Sequence, residues 1–503
     1  MALLQAGTGS LEEWVLAQRW YAGKGTAPRL REIGSWRLPG DQETETRVAL
    51  LLDESATPAE LYQVPLTLRG TRLPDLDSAL IGRVRSEDGS ERFLYDGMHD
   101  RLFARQLLEL IVKGERADGD HASAAGVPLG ALELAESISE VVSGEQSNTS
   151  VVFRFERKYL PQEESRDTLA FSNPDPQPAH EHGTRFTELT AAGRPHAVVC
   201  KLFRILHAGV NPDVELQSAL TAAGSLRVPE TIGSVVGRWP DHNSPGSEAF
   251  GHLAFAQVFV EGARDAWALA LAAARTGQDF SEFAEEIGRA TAEIHRSLAS
   301  TLQTKRSTDS EVRTIEARWH QRLTSAIAEV PVIEQFEHSI ARVYDTAAAV
   351  EWPDLQRIHG DLHLGQVLIT PGGRCVIIDF EGEPIRPIVE RAQPDLALRD
   401  VAGMLRSFDY VKGALPDAPG IAEWTHSARR AFLDGYILSS GDNLRAHREL
   451  LDAFEMDKAV YEAVYESRHR PTWLPIPTEA IARLAGRAER QEGADSPEPA
   501  AEH

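Results

Sequence analysis

The sequence predicts an α+β, bilobal fold, with a β-rich N-terminal lobe and a mostly helical C-terminal lobe. Three observations predict it. Apolar runs rich in β-branched residues, bounded by turn residues, fill the first half of the chain. From about residue 263 the apolar residues recur at helical spacing instead. A long polar stretch, residues 158–195, crowded with Pro, Glu, Asp, His and Gly, separates two strand-like runs, as a mobile exposed connection within a β-lobe would.

Residues 1–130 open with a helical stretch around Trp14 to Trp20. "TRVALLLDE" and "ELYQVPLTL" read as strands. In "DRLFARQLLELIVKG", Leu102, Phe103, Leu107, Leu110 and Ile111 fall at helical spacing and Gly114 stops the helix. Residues 131–260 read mostly as strand, in "SNTSVVFRFE", "HAVVCKLF" and "GHLAFAQVFVEG", the last preceded by a loop, "GRWPDHNSPGSEAFG". In residues 261–484 helices dominate, with a long amphipathic one in "FSEFAEEIGRATAEIHRSLASTL". "LQRIHG", "QVLIT" and "RCVIIDFE" interrupt them as short strands. Residues 485–503 are polar, contain Pro and lack periodicity, which predicts a disordered tail.

The 503 residues suffice for two or three domains. A formal net charge of −24 argues against a nucleic-acid or anionic-membrane partner, which needs a basic footprint. It leaves room for a small anionic ligand in a locally positive pocket. The two cysteines, Cys200 and Cys375, form no CxxC pair, which argues against a disulfide framework or structural zinc. No apolar run reaches the roughly 18 residues of a membrane span. The N-terminus has no basic start followed by an apolar core. The expectation is a cytoplasmic protein that binds small molecules.

The segment "HGDLHLGQVLIT", His359 to Thr370, carries the densest chemistry. His359 and His363 are four apart, as in a zinc helix, but Gly360 and Gly365 disfavour a helix and the central glutamate is missing. A plain core strand accounts for "VLIT" only. Asp361 is followed five residues later by Gln366, and eighteen residues later by Asp379 in "VIIDFEGEP". This order resembles that of protein-kinase-like enzymes: a loop carrying the base, a metal-binding amide, a short hairpin, then a second aspartate. Phosphoryl transfer needs a carboxylate within reach of the attacking hydroxyl and hard oxygen ligands for Mg²⁺ on ATP. Asp361 is the expected base, and Gln366 and Asp379 the expected magnesium ligands.

A nucleotide cradle is then expected upstream. "GEQSNTSVVF" reads as a turn leading into a strand, with Ser147, Asn148, Thr149 and Ser150 placed near phosphate; a plain hairpin is the alternative. Lys201 lies inside the apolar run "VVCKLF", where a lysine either snorkels outward or serves a buried anion. Glu215, at the start of a helical stretch, is its expected partner. Gln257 and Phe259, in "AQVFVEG", sit where a hinge would meet adenine through backbone groups.

These motifs resemble the aminoglycoside-phosphotransferase-like kinases, and more closely the actinobacterial maltokinases. The likeness follows "QRWYAGKG", "EQSNTSVVF", "KLFR" with "GVNPDVEL", "HGDLHLGQVL", "IDFEGEP", "LRDVAGMLRSF" and "DKAVYEAVYESRHRPTWLPIP", in that order. The resemblance implies a protein-kinase-like fold. Residues 1–130 would be an N-terminal cap subdomain, 131–260 an ATP-binding β subdomain and 261–484 a helical lobe holding the sugar. It also implies Mg²⁺- and ATP-dependent phosphorylation of maltose at the anomeric hydroxyl. A sister group of actinobacterial kinases acts on glucosamine, giving glucosamine 6-phosphate, and remains the alternative. The 158–195 insert departs from the maltokinase pattern by its length. Trp20, Tyr21 and Lys24 read as cap packing plus a surface lysine, and Asp96 and His99 as a turn.

On a helix, Asp457, Tyr461, Tyr465 and Arg468 share one face, and Glu462 and Glu466 form the next row. Sugar sites combine an aromatic platform with charged groups that bind hydroxyls in pairs. Tyr461, Tyr465, Glu466, Arg468, Trp473, Glu381 and His363 are therefore the substrate-binding candidates, with core packing the alternative for the tyrosines. Asp400, in "LRD", is expected to brace the catalytic loop.

Overall fold

The computed structural model describes residues 8–39, 43–85, 89–130, 132–142, 148–155, 196–383, 386–442, 444 and 446–495. Ser147 and the 158–195 connection lie outside them. Two compact units emerge: Met1–Val210 with Pro229–Glu261, and Asn211–Val228 with Gly262–His503. The fold is the α+β protein-kinase-like one, with its strands gathered mainly in the first unit and its helices mainly in the second.

The first unit begins with helix α1 (Thr8–Ala17) and a five-stranded antiparallel sheet, in the order β1 (Leu30–Arg37), β2 (Thr44–Asp53), β3 (Glu60–Arg69), β5 (Glu91–Asp96), β4 (Leu80–Arg85). Helix α2 (Arg101–Lys113) starts where Asp100 caps the Leu102 amide, and ends at Gly114, whose φ of +64° suits a left-handed cap. Its face of Phe103, Leu107, Leu110 and Ile111 is buried.

A seven-stranded sheet follows, in the order β6 (Arg116–Asp118), β7 (Ser123–Pro128), β11 (Thr231–Pro240), β12 (Glu248–Val258), β10 (Ala197–Phe203), β9 (Asn148–Phe155), β8 (Ser137–Val141). The expected zone boundary at 130 does not coincide with a sheet boundary. β6 and β7 precede it yet belong to this sheet, because β7 pairs with β11 from Ser123↔Arg238 to Pro128↔Gly233. β11 itself falls in "TIGSVVGRWP", which no strand expectation covered, so the loop before β12 shrinks to residues 241–247.

Gln63 joins the two sheets: fully buried on β3, it donates through Nε2 to the carbonyls of Phe203 and Leu253, 2.9 Å each. Arg204 does the same with charge. It is 0% exposed, donates to Asp96 Oδ2 at 2.7 Å and Thr149 Oγ1 at 2.8 Å, and lies 5.0 Å over the Trp20 ring. Trp20 and Tyr21 are thus core residues, Tyr21 donating to Asp53 at 2.7 Å. Lys24 is spent on the Leu16 and Gln18 carbonyls. Asp96 is more than a turn residue. Asp96→Ala leaves the buried guanidinium uncompensated and is expected to destabilise the protein by about 3–5 kcal/mol, read as a lowered urea midpoint.

The second unit takes in α3 (Pro212–Ala222), α4 (Ala266–Thr276), α5 (Ser281–Thr301), α6 (Asp309–Glu329), α7 (Glu337–Ala349), α8 (Leu398–Ala414), α9 (Ile421–Ser440), α10 (Arg448–His469) and α11 (Pro475–Asp495). A small sheet of β13 (Arg264–Asp265), β14 (Val367–Ile369) and β15 (Cys375–Ile377) lies among them. "LQRIHG" forms only isolated bridges, Leu355↔Lys305 and Gln356↔Asp395, where a strand was expected. Two corrections concern boundaries. Segment 211–228, expected with the β subdomain, belongs here: Ile377 N–H donates to the Arg227 carbonyl at 2.7 Å, and Arg227 pairs with Glu286 and Glu293 of α5. The chain past 485 does not become a tail at once. α11 continues to Asp495, held by Arg487 to Asp452 at 2.6 Å and Glu489 to Ser339 at 2.8 Å. No helix among the described residues is long and apolar enough to cross a membrane.

Candidate active site

The loop that starts at His359 is held by its own buried contacts. His359 is 2% exposed and both ring nitrogens are engaged: Nε2 donates to the Ile378 carbonyl at 3.0 Å, and Nδ1 accepts from Asp361 N–H at 3.3 Å. Its ring packs 4.6 Å from Phe380. Asp400, 1% exposed in the first turn of α8, accepts from the His359 and Gly360 amides at 2.8 Å each and from His295 Nε2 at 3.0 Å. Burial opposes its charge, but these donors hold its carboxyl below the usual range. α8 approaches the loop so closely that a Cβ on Gly403 would meet the Leu362 carbonyl oxygen at 2.7 Å. Gly360 itself needs a φ of +84°.

Two clusters flank this loop. In the first, Gln366 donates through Nε2 to Asp379 Oδ2 at 3.1 Å, which leaves its Oε1 as an oxygen donor. Asp379 adopts a φ of +67°, uncommon for any residue but glycine, and the next amide, Phe380 N–H, is clamped by Asp213 Oδ1 at 2.7 Å. Carboxylate oxygens of Asp213, Asp379 and Glu381 all lie within 4.8 Å of one another. An all-oxygen set with several negative charges suits a hard dication such as Mg²⁺. Glu381, expected at the substrate, therefore sits with Asp213 and Asp379 in this oxygen cluster. Asp213 was not anticipated; Glu215 was chosen from the same "NPDVEL" segment. Glu215 makes an ion pair with Arg357, and Lys201, its expected partner, belongs to the first unit.

In the second cluster, Lys458 of α10 donates to Asp361 Oδ1 at 3.1 Å and to Glu383 Oε1 at 2.5 Å. Asp361 lines a pocket with Glu383, Arg322, Arg399, Asp457 and Lys458. Burial works against the Glu383 charge, yet the Lys458 ammonium holds its carboxyl down at about 2. The same partners push the Lys458 ammonium up against its burial. Asp457 accepts from Arg322 at 2.6 Å, and burial lifts its carboxyl above the ordinary range. Tyr461 lies beside both cations, 5.7 Å from Lys458 Nζ and 5.9 Å from the Arg322 guanidinium carbon. His363 caps the short turn Leu364–Gln366 by accepting from Gly365 N–H at 3.1 Å, and burial lowers its basicity.

None of the seven expected substrate residues lines this pocket, and four of them are committed elsewhere. Glu466, 0% exposed, holds Arg470 and accepts from Tyr410 at 2.9 Å. Trp473 packs under Arg470 at 4.7 Å. Tyr465 stacks on His469 at the surface, and Arg468 is paired with Glu329. Tyr465 and Arg468 share a helix face with Asp457, but each residue rises about 1.5 Å along the axis. Arg468 thus lies about 16 Å further along α10 than Asp457. Lys458, which does reach the pocket, was missed; its signal was its place beside Asp457 in "MDKAV".

In the first unit, Lys201 lies on β10 opposite Ser150 and Phe255, its Nζ 5.9 Å from the Phe203 ring. Asn148, Thr149 and Ser150 are buried at the start of β9, and Thr149 is committed to Arg204. Gln257 pairs with Val199 and Thr231 in the sheet. The Phe259 amide, assigned to adenine, already donates to the Ala197 carbonyl at 2.9 Å.

Comparison with known proteins adds the following. Residues 14–100 match the maltokinase N-terminal cap domain, and residues 180–450, more than half of the chain, match the phosphotransferase enzyme family described as APH. A glucosamine kinase of Streptacidiphilus jiangxiensis is 32% identical over 255 residues, 46% of this chain and 57% of that protein. A glucosamine kinase of Mycolicibacterium smegmatis (strain ATCC 700084 / mc(2)155) is 36% identical over 138 residues, 25% of this chain and 33% of that one. The chain thus spans less than two thirds of either curated relative. A solved glucosamine kinase in complex with glucosamine, ADP and inorganic phosphate superposes with a TM-score of 0.60 at 21% identity, covering 94% of this chain and 98% of that one. Crystal form B of a glucosamine kinase gives a TM-score of 0.51 at 27% identity, over 58% and 76%.

Proposed function

The chain belongs to the phosphotransferase enzyme family, and on that premise we propose that it transfers the γ-phosphoryl group of ATP to a sugar hydroxyl, with maltose as acceptor and maltose 1-phosphate as product. The observation that carries this reading is the position of Asp361. One carboxylate oxygen is held by Lys458 inside a pocket of charged hydrogen-bonding groups, and the oxygen-donor cluster of Gln366 and Asp379 follows on the same stretch of chain. Asp361 takes the proton of the acceptor hydroxyl as its oxygen attacks the γ-phosphorus in line, and ADP leaves. Asp379, Gln366, Asp213 and Glu381 are the residues that would hold Mg²⁺, whose charge offsets that of the phosphates. Lys201 is the proposed nucleotide-phosphate contact in the first unit.

The choice of a neutral sugar rests on Lys458. A second ammonium would be repelled by Lys458, which already takes up the Asp361 and Glu383 carboxylates that could receive it. Maltose carries no such charge. Glucosamine is the second reading, favoured by the names of the relatives. Incubation with ATP and either sugar, read by phosphorus NMR, distinguishes them: an anomeric phosphate from maltose supports the first reading, and a 6-phosphate from glucosamine alone replaces it. Lys458→Met is expected to lower kcat/KM for maltose by about 10- to 150-fold, the worth of a charged hydrogen bond of about 1.5–3 kcal/mol. It is also expected to raise the glucosamine-to-maltose ratio. An unchanged ratio in steady-state kinetics refutes the charge argument.

A further inference from the structure

Away from the catalytic loop, helices α6 and α7 bring together three side chains of different chemistry. Glu316 and His320 stand four apart on α6, so they share a face. Asp345 faces them from α7, with His320 Nε2 2.9 Å from Asp345 Oδ1. One donor atom from each of the three lies within 4.8 Å of the others. The His320 ring is already oriented: it meets Tyr344 edge-on, with centroids 5.7 Å apart and planes at 87°. Among the described residues Glu316 makes no hydrogen bond or ion pair, so its carboxylate is uncommitted. Arg342, one turn before Asp345 on α7, is directed to His338 at 2.7 Å.

We propose that Glu316, His320 and Asp345 bind a borderline transition-metal dication, Zn²⁺ or its congener Co²⁺, and thereby clamp α6 to α7. The donor set argues for this class. An imidazole with two carboxylates suits zinc, whereas magnesium prefers oxygen alone, as in the Asp213, Asp379 and Glu381 cluster. Tetrahedral zinc with bonds of about 2.0–2.1 Å sets its donors about 3.4 Å apart. The donor atoms already lie within 4.8 Å of one another, on half-exposed Glu316 and His320 and exposed Asp345. Three protein ligands leave the fourth position to water. Bound through Nε2, the metal replaces the proton now shared with Asp345, and the neutral ring carries its proton on Nδ1.

The test is calorimetric titration of the full chain, freed of metal by a chelator, with ZnCl₂, and visible absorption on titration with CoCl₂. One site is expected, with the intense d–d bands of four-coordinate cobalt and a melting temperature that rises with zinc. His320→Ala and Asp345→Ala should each weaken that site at least tenfold, with unchanged circular dichroism and metal-free melting temperature. Asp379→Asn, which alters the oxygen cluster, should leave it unchanged. Excess MgCl₂ should not compete. Zinc affinity and cobalt spectra that are the same in wild type, His320→Ala and the milder His320→Gln overturn the proposal. So does absence of zinc binding by the wild type.

Discussion

Asp361→Asn is expected to lower kcat by about 10²- to 10⁴-fold while leaving nucleotide affinity close to that of the wild type. The substitution keeps the shape of the side chain and most of its packing, but removes the basic oxygen and the charge that faces Lys458. The loop should stay in place, since Asp400 and His359 hold it through the backbone. The loss should therefore fall on the chemical step. Single-turnover kinetics with saturating ATP and sugar give the first quantity, and equilibrium titration with ADP the second. Near-normal turnover would remove Asp361 from the mechanism; a matching loss of ADP binding would mean that the loop itself had moved.

Asp379→Asn is expected to cost several kcal/mol of transition-state stabilisation, or about 10²- to 10³-fold in kcat. Unlike the first variant, it should shift the magnesium dependence to higher concentrations. The reason lies in the cluster: Asp379 is joined to Gln366 and shares its surroundings with Asp213 and Glu381. Removal of one charge weakens a site built from several, without abolishing it. Activity measured across a magnesium series checks this. An unshifted magnesium dependence would place the metal elsewhere. The left-handed backbone at residue 379 is tolerated by Asn as readily as by Asp, so strain does not confuse the comparison.

What could be read from the sequence, and what could not, follows from distance along the chain. Asp361, Gln366 and Asp379 stand within one loop, hairpin and turn, so their spacing alone brought them to attention. Lys458 meets Asp361 from 97 residues away and Glu383 from 75, and no local pattern encodes that meeting. Asp213 reaches the Phe380 amide across 167 residues. Helical periodicity gives a shared face of α10 but not the height along it, and so it groups Tyr461, beside Lys458, with Arg468, which pairs with Glu329. The strand at Thr231–Pro240 was hidden by Gly233, Gly237 and Pro240, residues that usually mark turns. Late in α11, Arg487 pairs with Asp452 and Glu489 accepts from Ser339, polar contacts that leave no apolar rhythm to read.

The attachment of α3 to the second unit sets a rule for anyone who cuts this chain. A fragment that starts at Gly262 looks complete by its run of helices, but it lacks the carboxylate that clamps Phe380 and the glutamate that neutralises Arg357. The excised piece would carry Asp361 on a loosened scaffold, with the buried Arg357 guanidinium left unpaired. Residues 211–228 would have to be spliced back, by a short linker or by circular permutation, before such a fragment could report on the pocket at Asp361 alone.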